Sequence, residues 1–303
     1  MRISSTQYQA LMNQSLQKNQ ERITYLTQQG NNGYRIQVPS DDPIDSVRIS
    51  RLKREEAAID QYRDNIAAIS QRMSKSEGYL TNMVNDMNSG RDLLVWAANG
   101  SNTPEDLNAM VTSLTSLRDS LLYTSNSIDQ EGRYIFSGTA TDVAPIAYDE
   151  AAAPGARYSY SGNTGDQNVV VANGITQVAN QNLQGMEDLL NKLDATIATL
   201  SAPGVDISDP AVRSVVTAGL DGFDDGMNLL SSKVAVLGGQ QNILKTLDAN
   251  HANVSLSNQT ALKEISQVDI ATVAIELNGY TTALQATYKA YSKIGNLSLF
   301  AAL

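Results

Sequence analysis

Cysteine is absent from this chain of 303 residues. Its absence excludes disulfide bonds, thiolate metal sites and cysteine nucleophiles. Histidine is nearly absent as well, since His251 is the only one. A catalytic triad built on histidine and a metal site with several histidine ligands are therefore also excluded.

Other patterns that carry chemistry are missing. Neither the dinucleotide-binding fingerprint nor a phosphate-binding loop ending in Gly-Lys-Ser/Thr occurs. Residues 221–226 (Asp-Gly-Phe-Asp-Asp-Gly) superficially resemble a calcium loop, but the alternating ligands and the distal Glu are lacking. Asp41 and Asp42 are better explained as helix caps than as a catalytic pair. We therefore predict no enzymatic activity, no cofactor and no metal.

Aromatic residues make up only 6% of the sequence, which predicts thin aliphatic cores of the kind found in helical bundles. No apolar run is long enough to span a membrane, and the first residues lack the features of a secretory signal peptide. The formal net charge is −10, and nucleic-acid binding needs clustered basic residues. We expect neither membrane insertion nor a nucleic-acid partner, and a cytoplasmic protein unless a dedicated exporter takes it.

What the sequence does have is an apolar stripe at helical spacing near each end. The stripes comprise Tyr8, Met12, Leu16, Ile23 and Leu26 at one end, and Ile270, Val273, Leu277, Tyr280, Leu284, Tyr288, Tyr291 and Ile294 at the other. They indicate either helices packed onto the body or helices that contact further subunits. Short isolated helices are marginal in water, so we predict that residues 1–40 and 263–303 are largely disordered in the free monomer and order on assembly.

Two helix starts can be recognised between these ends. The segment 29–39, with two glycines and a proline, predicts a linker after the first helix. Asp42 is suited to cap the next helix, with Pro43 at its first position. Thr103 and Pro104 form the same signal further along. Because the connection before Thr103 is short, we expect that helix to run back antiparallel.

The middle of the chain alternates between helical and strand-like patterns. Apolar positions from Leu52 to Leu94 follow a repeat close to seven residues and predict one long helix. The glycine-bounded run 132–138 and the short runs 158–160 and 169–171 are strand candidates, and we interpret residues 141–183 as a small β-rich insertion. Helical spacing resumes at Met186, pauses around residues 203–210, and continues from Val212 to the C-terminus.

Four stretches carry a resemblance to a known family. They are Pro39-Ser-Asp-Asp-Pro43, Asn99-Gly100, Gly132-Arg-Tyr-Ile-Phe-Ser-Gly138, and the tail from Ala286 to Leu303, which contains Ser298-Leu-Phe300. With them the chain resembles the flagellin-like axial proteins of bacterial flagella over nearly its whole length, least so in residues 141–183. The Pro-Ile that follows the Asp pair and the Arg-Tyr-Ile-Phe-Ser-Gly run favour the members that join hook to filament over flagellin itself.

The resemblance implies a mainly α fold: a long antiparallel helical bundle with a small β-rich insertion, whose N- and C-terminal helices pair as a coiled coil. It also implies three parts. Residues 1–44 and 262–303 would form an inner domain, residues 45–140 and 205–261 a middle bundle, and residues 141–204 an outer inserted domain.

In function, the resemblance implies a structural adaptor that forms a short ring-like tier of the flagellar tube. Its expected partners are further copies of itself, hook-associated protein 1, flagellin and, before secretion, an export chaperone. The expected location is extracellular, after export of the unfolded chain through the flagellar type III channel without a cleaved signal peptide.

The residues expected to contact other subunits are apolar or aromatic side chains of the two terminal helices. They are Tyr8, Leu11, Met12, Leu16, Ile23, Leu26, Leu277, Tyr280, Leu284, Tyr288, Tyr291, Leu297 and Phe300. Two alternatives stay open. The chain could be a minor flagellin, or a secreted enzyme or carbohydrate binder in which Tyr158, Tyr160 and Asp166 line a sugar groove.

Overall fold

The computed structural model describes residues 2–296, and the side chains of residues 7–293. This part of the chain is mainly helical, with two small two-stranded sheets, and the predicted fold class is confirmed. The helices are α1 (Arg2–Asn32), α2 (Pro43–Ala97), α3 (Pro104–Ser125), α4 (Met186–Leu200), α5 (Pro210–Ser266) and α6 (Ile270–Asn296). The strands are β1 (Ile146–Tyr148), β2 (Tyr158–Tyr160), β3 (Asn168–Ala172) and β4 (Ile175–Val178).

Helix α3 begins in a complete capping box. The Thr103 hydroxyl accepts from the backbone amide of Asp106 at 3.2 Å, and the Asp106 carboxylate accepts from the amide of Thr103 at 3.0 Å. Pro104, which has no N–H to satisfy, is the first helical residue. Two of the free amides at this helix end are thus paired by side chains, which fixes where the helix starts.

Two compact units divide the chain: a central unit of residues 59–251, and a terminal unit of residues 1–58 and 252–303. The central unit contains one continuous apolar core built from helices and hairpins. In α2 this core takes every seventh residue, as the sequence predicts. The residues in that series are Ile59, Ile66, Met73, Leu80, Met87 and Leu94.

Within the central unit α2 and α5 run antiparallel, because contacts that move forward along α2 move backward along α5. Arg63 pairs with Asp248 at 2.9 Å, and Arg91 with Asp224 at 2.7 Å. Gly90 lies against the ring of Phe223. A Cβ there would come within 2.5 Å of Phe223 Cζ, so any larger residue would force the ring to shift.

Helix α3 returns antiparallel to α2, as predicted. The Ser120 hydroxyl donates to the Asp86 carboxylate at 2.9 Å, and Leu117 lies against Gly90. A short turn at residues 98–103 makes this reversal.

The β-rich insertion consists of two antiparallel hairpins, β1–β2 and β3–β4. The strand predicted at residues 132–138 does not form; that run contributes only isolated bridges, at Tyr134 and Ser137. The reason is local: Gly132 and Gly138 both have positive φ, at 78° and 73°. The chain therefore turns at both ends of the run, and its residues bridge to two different segments instead of pairing along one strand.

The helix expected to continue from Val212 to the C-terminus is interrupted at residues 267–269. Asp269 starts α6, accepting from the amide of Ala271 at 3.0 Å and from the hydroxyl of Thr272 at 2.7 Å. The Thr272 hydroxyl and the Ala271 amide lower the pKa of Asp269. The three-part domain division stays a prediction.

Candidate subunit-contact surface

The first and last helices pack against each other, α1 on α6. Leu26, Val268 and Val273 form a small buried cluster between them, and Leu277 and Tyr280 pack against it. This contact covers only part of the two apolar stripes. Side chains farther along each helix therefore keep their apolar surface available.

An ion pair joins the two helices. Arg22 donates to the Glu276 carboxylate at 2.8 Å and lies over the ring of Tyr25, 5.4 Å from its centroid. Both charged side chains are about two-fifths exposed, and such pairs contribute about 0–1 kcal/mol. We infer that this pair sets the register of α1 on α6 more than it stabilises the contact.

The linker after α1 is fastened to the junction between α5 and α6 by backbone hydrogen bonds. The amide of Arg35 donates to Ser266 O at 2.8 Å, and the amide of Val268 donates to Gly33 O at 3.0 Å. Tyr34 and Gln267 thus form an antiparallel bridge. This pairing explains why the helix breaks at residues 267–269: the backbone there bonds across to the linker.

Arg35 reinforces that junction with its side chain. Its guanidinium donates to Asp42 at 3.1 Å and to Asp45 at 2.7 Å. Asp42 also accepts from the backbone amide of Asp45 at 3.1 Å, which caps α2 immediately before Pro43. The Asp45 amide and the Arg35 guanidinium lower the pKa of Asp42.

Asp41 stabilises the linker through hydrogen bonds to the linker backbone. Its carboxylate accepts from the backbone amides of Gln37 at 2.9 Å and Val38 at 3.0 Å, and from the hydroxyl of Tyr25 at 3.0 Å. The donated bonds, foremost that of the Val38 amide, lower the pKa of Asp41. Asp41 and Asp42 therefore have separate partners and separate structural tasks.

The predicted contact residues that the structure describes fall into three groups by exposure. Leu26 is buried inside the α1–α6 pair. Met12, Leu16, Ile23, Leu277, Tyr280 and Leu284 are half-buried, and Tyr8, Leu11, Tyr288 and Tyr291 are exposed. Leu297 and Phe300 lie outside the described residues. Their contact role stays a prediction.

Sequence reasoning missed exposed apolar residues that lie off the two stripes. Ile275, in the second turn of α6, is 74% exposed. Ile44 and Val47 are exposed at the start of α2, and Leu256 is exposed on α5. The available signal was an isoleucine or leucine out of phase with the buried face, a position normally taken by a polar residue.

Comparison with known proteins places these features in a family. Residues 3–141 match the family model described as the bacterial flagellin N-terminal helical region. Flagellar hook-associated protein 3 of Escherichia coli is 30% identical over 291 residues, covering 90% of each chain. The chain belongs to the flagellar hook-associated protein 3 family.

Two further relatives agree with this membership. Flagellar hook-associated protein 3 of Salmonella typhimurium is 28% identical and covers 99% of both chains. A solved flagellar hook-associated protein from Vibrio parahaemolyticus has a TM-score of 0.68 and 33% identity, covering 75% of this chain and 100% of its own. The predicted family, and the predicted adaptor role at the hook–filament junction, are thereby confirmed.

The remaining candidates for chemistry have structural partners in this member of the family. His251 Nε2 lies 2.8 Å from Val171 O. Asp224 pairs with Arg91, and Asp225 with Lys192. Residues 221–226 belong to α5, so they form a helical segment and not a calcium loop. Across the described part of the chain, His, Asp and Glu nowhere gather in a group of three that could hold a metal ion.

The two tyrosines proposed to line a sugar groove make contacts within the chain. Tyr158 is buried against α4, where its backbone exchanges two hydrogen bonds with the Asn191 side chain at 2.9 and 2.8 Å. Burial raises the pKa of Tyr158 to about 12. The Tyr160 hydroxyl donates to Asn163 O at 2.9 Å. A buried ring cannot stack on a sugar, so this part of the alternative has no geometric support.

Trp96, expected to pack in the core or at a subunit contact, is about half-exposed near the end of α2. Between residues 2 and 296, no helix combines the length and the apolar character needed to cross a membrane.

Proposed function

We propose that this hook-associated protein assembles as a short ring-like tier of the flagellar tube, between hook-associated protein 1 on the hook side and flagellin on the filament side. The observation that supports this most directly is the α1–α6 pair. The two helices bury Leu26 where they pack against each other. They leave Tyr8, Leu11, Ile275 and Tyr288 exposed.

Burying the exposed side chains between subunits would favour assembly. Fully burying one large apolar side chain contributes about 1.5–3 kcal/mol. The four residues are each between about half and three-quarters exposed, so burying their remaining surface would contribute about 3–7 kcal/mol before the cost of ordering. Tyrosines suit such a contact because a phenol combines apolar area with a hydroxyl that needs a partner.

Before assembly this apolar surface needs protection. An export chaperone that covers α1 and α6 would prevent premature association of the chain. Export through the flagellar type III channel requires an unfolded chain, and a sequence without cysteine cannot be held folded by disulfides.

The test of the junction role is electron microscopy of cells that lack this gene, with flagellin assayed in the medium. Bare hooks with released flagellin would support the adaptor. Intact filaments would overturn it, and long tubes formed by the purified chain would indicate a minor flagellin instead.

The contact face is tested by Leu284→Asp, with Gln285→Asp as the matched control. Leu284 is half-buried on the α6 stripe, whereas Gln285 is exposed next to it. An unpaired charge inside a packed contact is costly, so Leu284→Asp should abolish incorporation while the central unit stays folded by circular dichroism. If Leu284→Asp still joins hook to filament, the contact face is assigned wrongly.

A further inference from the structure

The terminal unit contains a groove of about 560 Å³ beside the linker. One wall is formed by linker residues, including Ile36, Val38 and Pro39. The other wall is formed by Ile49 and Ser50 of α2 and by Leu262 near the end of α5. We call this feature the linker groove.

The linker groove is partly apolar and is held in shape by hydrogen bonds and ion pairs. Val38 is 48% exposed, and its wall is fixed by the two backbone amides that donate to Asp41. The bridge between Tyr34 and Gln267 and the Arg35 ion pairs hold the wall against the α5–α6 junction. Once the terminal unit is ordered, these contacts give the groove a defined shape.

The charge at the linker groove is positive. Among the described residues that line it, the charged ones are Lys53 and Lys263. Arg35, by contrast, is neutralised by Asp42 and Asp45. The groove therefore presents partly apolar walls and two ammonium groups, which suit a partner that carries carboxylates.

The two units of the chain differ in charge in a complementary way. Residues 59–251 contain 11 Lys+Arg against 23 Asp+Glu, whereas residues 1–58 and 252–303 contain 11 against 9. Two central units placed side by side would repel each other, and a central unit facing the linker groove would be attracted.

We propose that the linker groove receives an acidic, partly apolar surface of the central unit from a second copy of this chain. The proposal rests on the ring-like tier proposed above and names one contact within it. Charge complementarity favours this occupant, since the acidic central unit is repeated in every subunit of the tier.

The test places a photocrosslinking amino acid, p-benzoylphenylalanine, at Ser50 in the full chain, produced in cells that lack the native gene. Ser50 is exposed and lines the groove; Ser257, exposed on α5 outside the groove, is the control position. Flagella are isolated and irradiated, and the crosslinked peptides are identified by mass spectrometry, with mixed isotope labelling to separate crosslinks between copies from those within one. Filament attachment is counted in the same cells.

Crosslinks from position 50, but not from position 257, to residues 59–251 of a second copy would support the proposal. Lys53→Glu should lower their yield about fivefold, since a like charge would replace a complementary one, whereas Arg51→Glu, on α2 but not lining the groove, should not. Capture of flagellin or hook-associated protein 1 alone would overturn it, as would filaments that assemble without any crosslink from position 50. If the Ser50 variant fails to assemble, the same crosslinks are sought from p-benzoylphenylalanine at Gln37 on the opposite wall, and the same outcomes support or overturn the proposal. Failure of the junction role itself would show separately, as normal filaments in cells without the gene.

Discussion

The central unit buries its apolar side chains in one continuous core of 32 residues, whereas the terminal unit buries only Leu26, Val268 and Val273 in a cluster of its described residues. The two units also differ in charge, with a strong acidic excess confined to residues 59–251. The comparison teaches that the buried core is concentrated in one part of the chain. The central unit folds around its own core, and under the proposed function the terminal unit keeps apolar surface for other subunits.

Hydrogen exchange should show the largest difference. In the free chain we expect amides of α3 and α4 to be protected by about 5 kcal/mol more than those of α1 and α6, which is more than about a thousandfold in exchange rate. The reason is that helix pairs with few buried contacts open locally without unfolding the rest. Exchange followed by mass spectrometry on the monomer measures this. Equal protection in both pairs would remove the contrast between the units, and strong protection of residues 8–32 in the monomer would contradict assembly-linked ordering.

A large truncation in the central core should be nearly as severe. Phe223 is fully buried and packs at Gly90, so Phe223→Ala should lower the free energy of unfolding by about 3–5 kcal/mol. Ile243→Ala is the control, because Ile243 lies on the same helix and is exposed; it should cost less than about 1 kcal/mol. Denaturant unfolding gives both values. A loss below 1 kcal/mol for Phe223→Ala would mean that the core is not continuous through this position.

The sequence predicted the central unit better than the terminal one, for a physical reason. The seven-residue repeat of α2 and the capping signal at Thr103 depend on local spacing and local hydrogen bonds, and both appear in the structure. The break at residues 267–269 depends on backbone pairing with Gly33 and Arg35, more than 200 residues earlier. Periodicity within α5 contains no sign of that partner.

The subunit-contact surface also combines features that local spacing predicts with features that depend on distant partners. Helical spacing identifies the two stripes that include Leu26 and Tyr288, but it cannot say that Leu26 is buried and Tyr288 exposed. That outcome depends on where α1 meets α6 and how far the contact extends. Ile275 was missed because it lies off the stripe, and the linker groove was missed because its walls come from three separate stretches of the sequence.

A buried carboxylate tests how firmly the insertion is attached within the central unit. Asp194 is 2% exposed and accepts from Arg118 at 3.1 Å and from the amide of Gly155 at 3.1 Å, with Arg157 at 3.6 Å. Asp194→Ala leaves two largely buried guanidinium groups without this partner, so we expect a loss of about 3 kcal/mol in unfolding free energy. Asp119→Ala removes an exposed partner of the same Arg118 and should cost at most about 1 kcal/mol. Similar losses for the two variants would show that burial does not distinguish these ion pairs.

The smallest expected effect is acid sensitivity of the linker in the terminal unit. The pKa values of Asp41 and Asp42 are lowered in the folded chain by the hydrogen bonds that they accept. A carboxyl with a depressed folded pKa contributes stability that is fully present above its unfolded pKa, near 4, and lost as the pH falls through the folded value. We therefore expect the amide chemical shifts of Gln37, Val38 and Asp45 to stay constant from neutral pH to about pH 4 and to change below it.

The double variant Asp41→Asn/Asp42→Asn should remove most of that acid-dependent change, since neither amide side chain titrates. If the wild-type amides shift between pH 7 and pH 5 instead, these two carboxylates are not what holds the linker, and the preformed wall of the linker groove would need another cause.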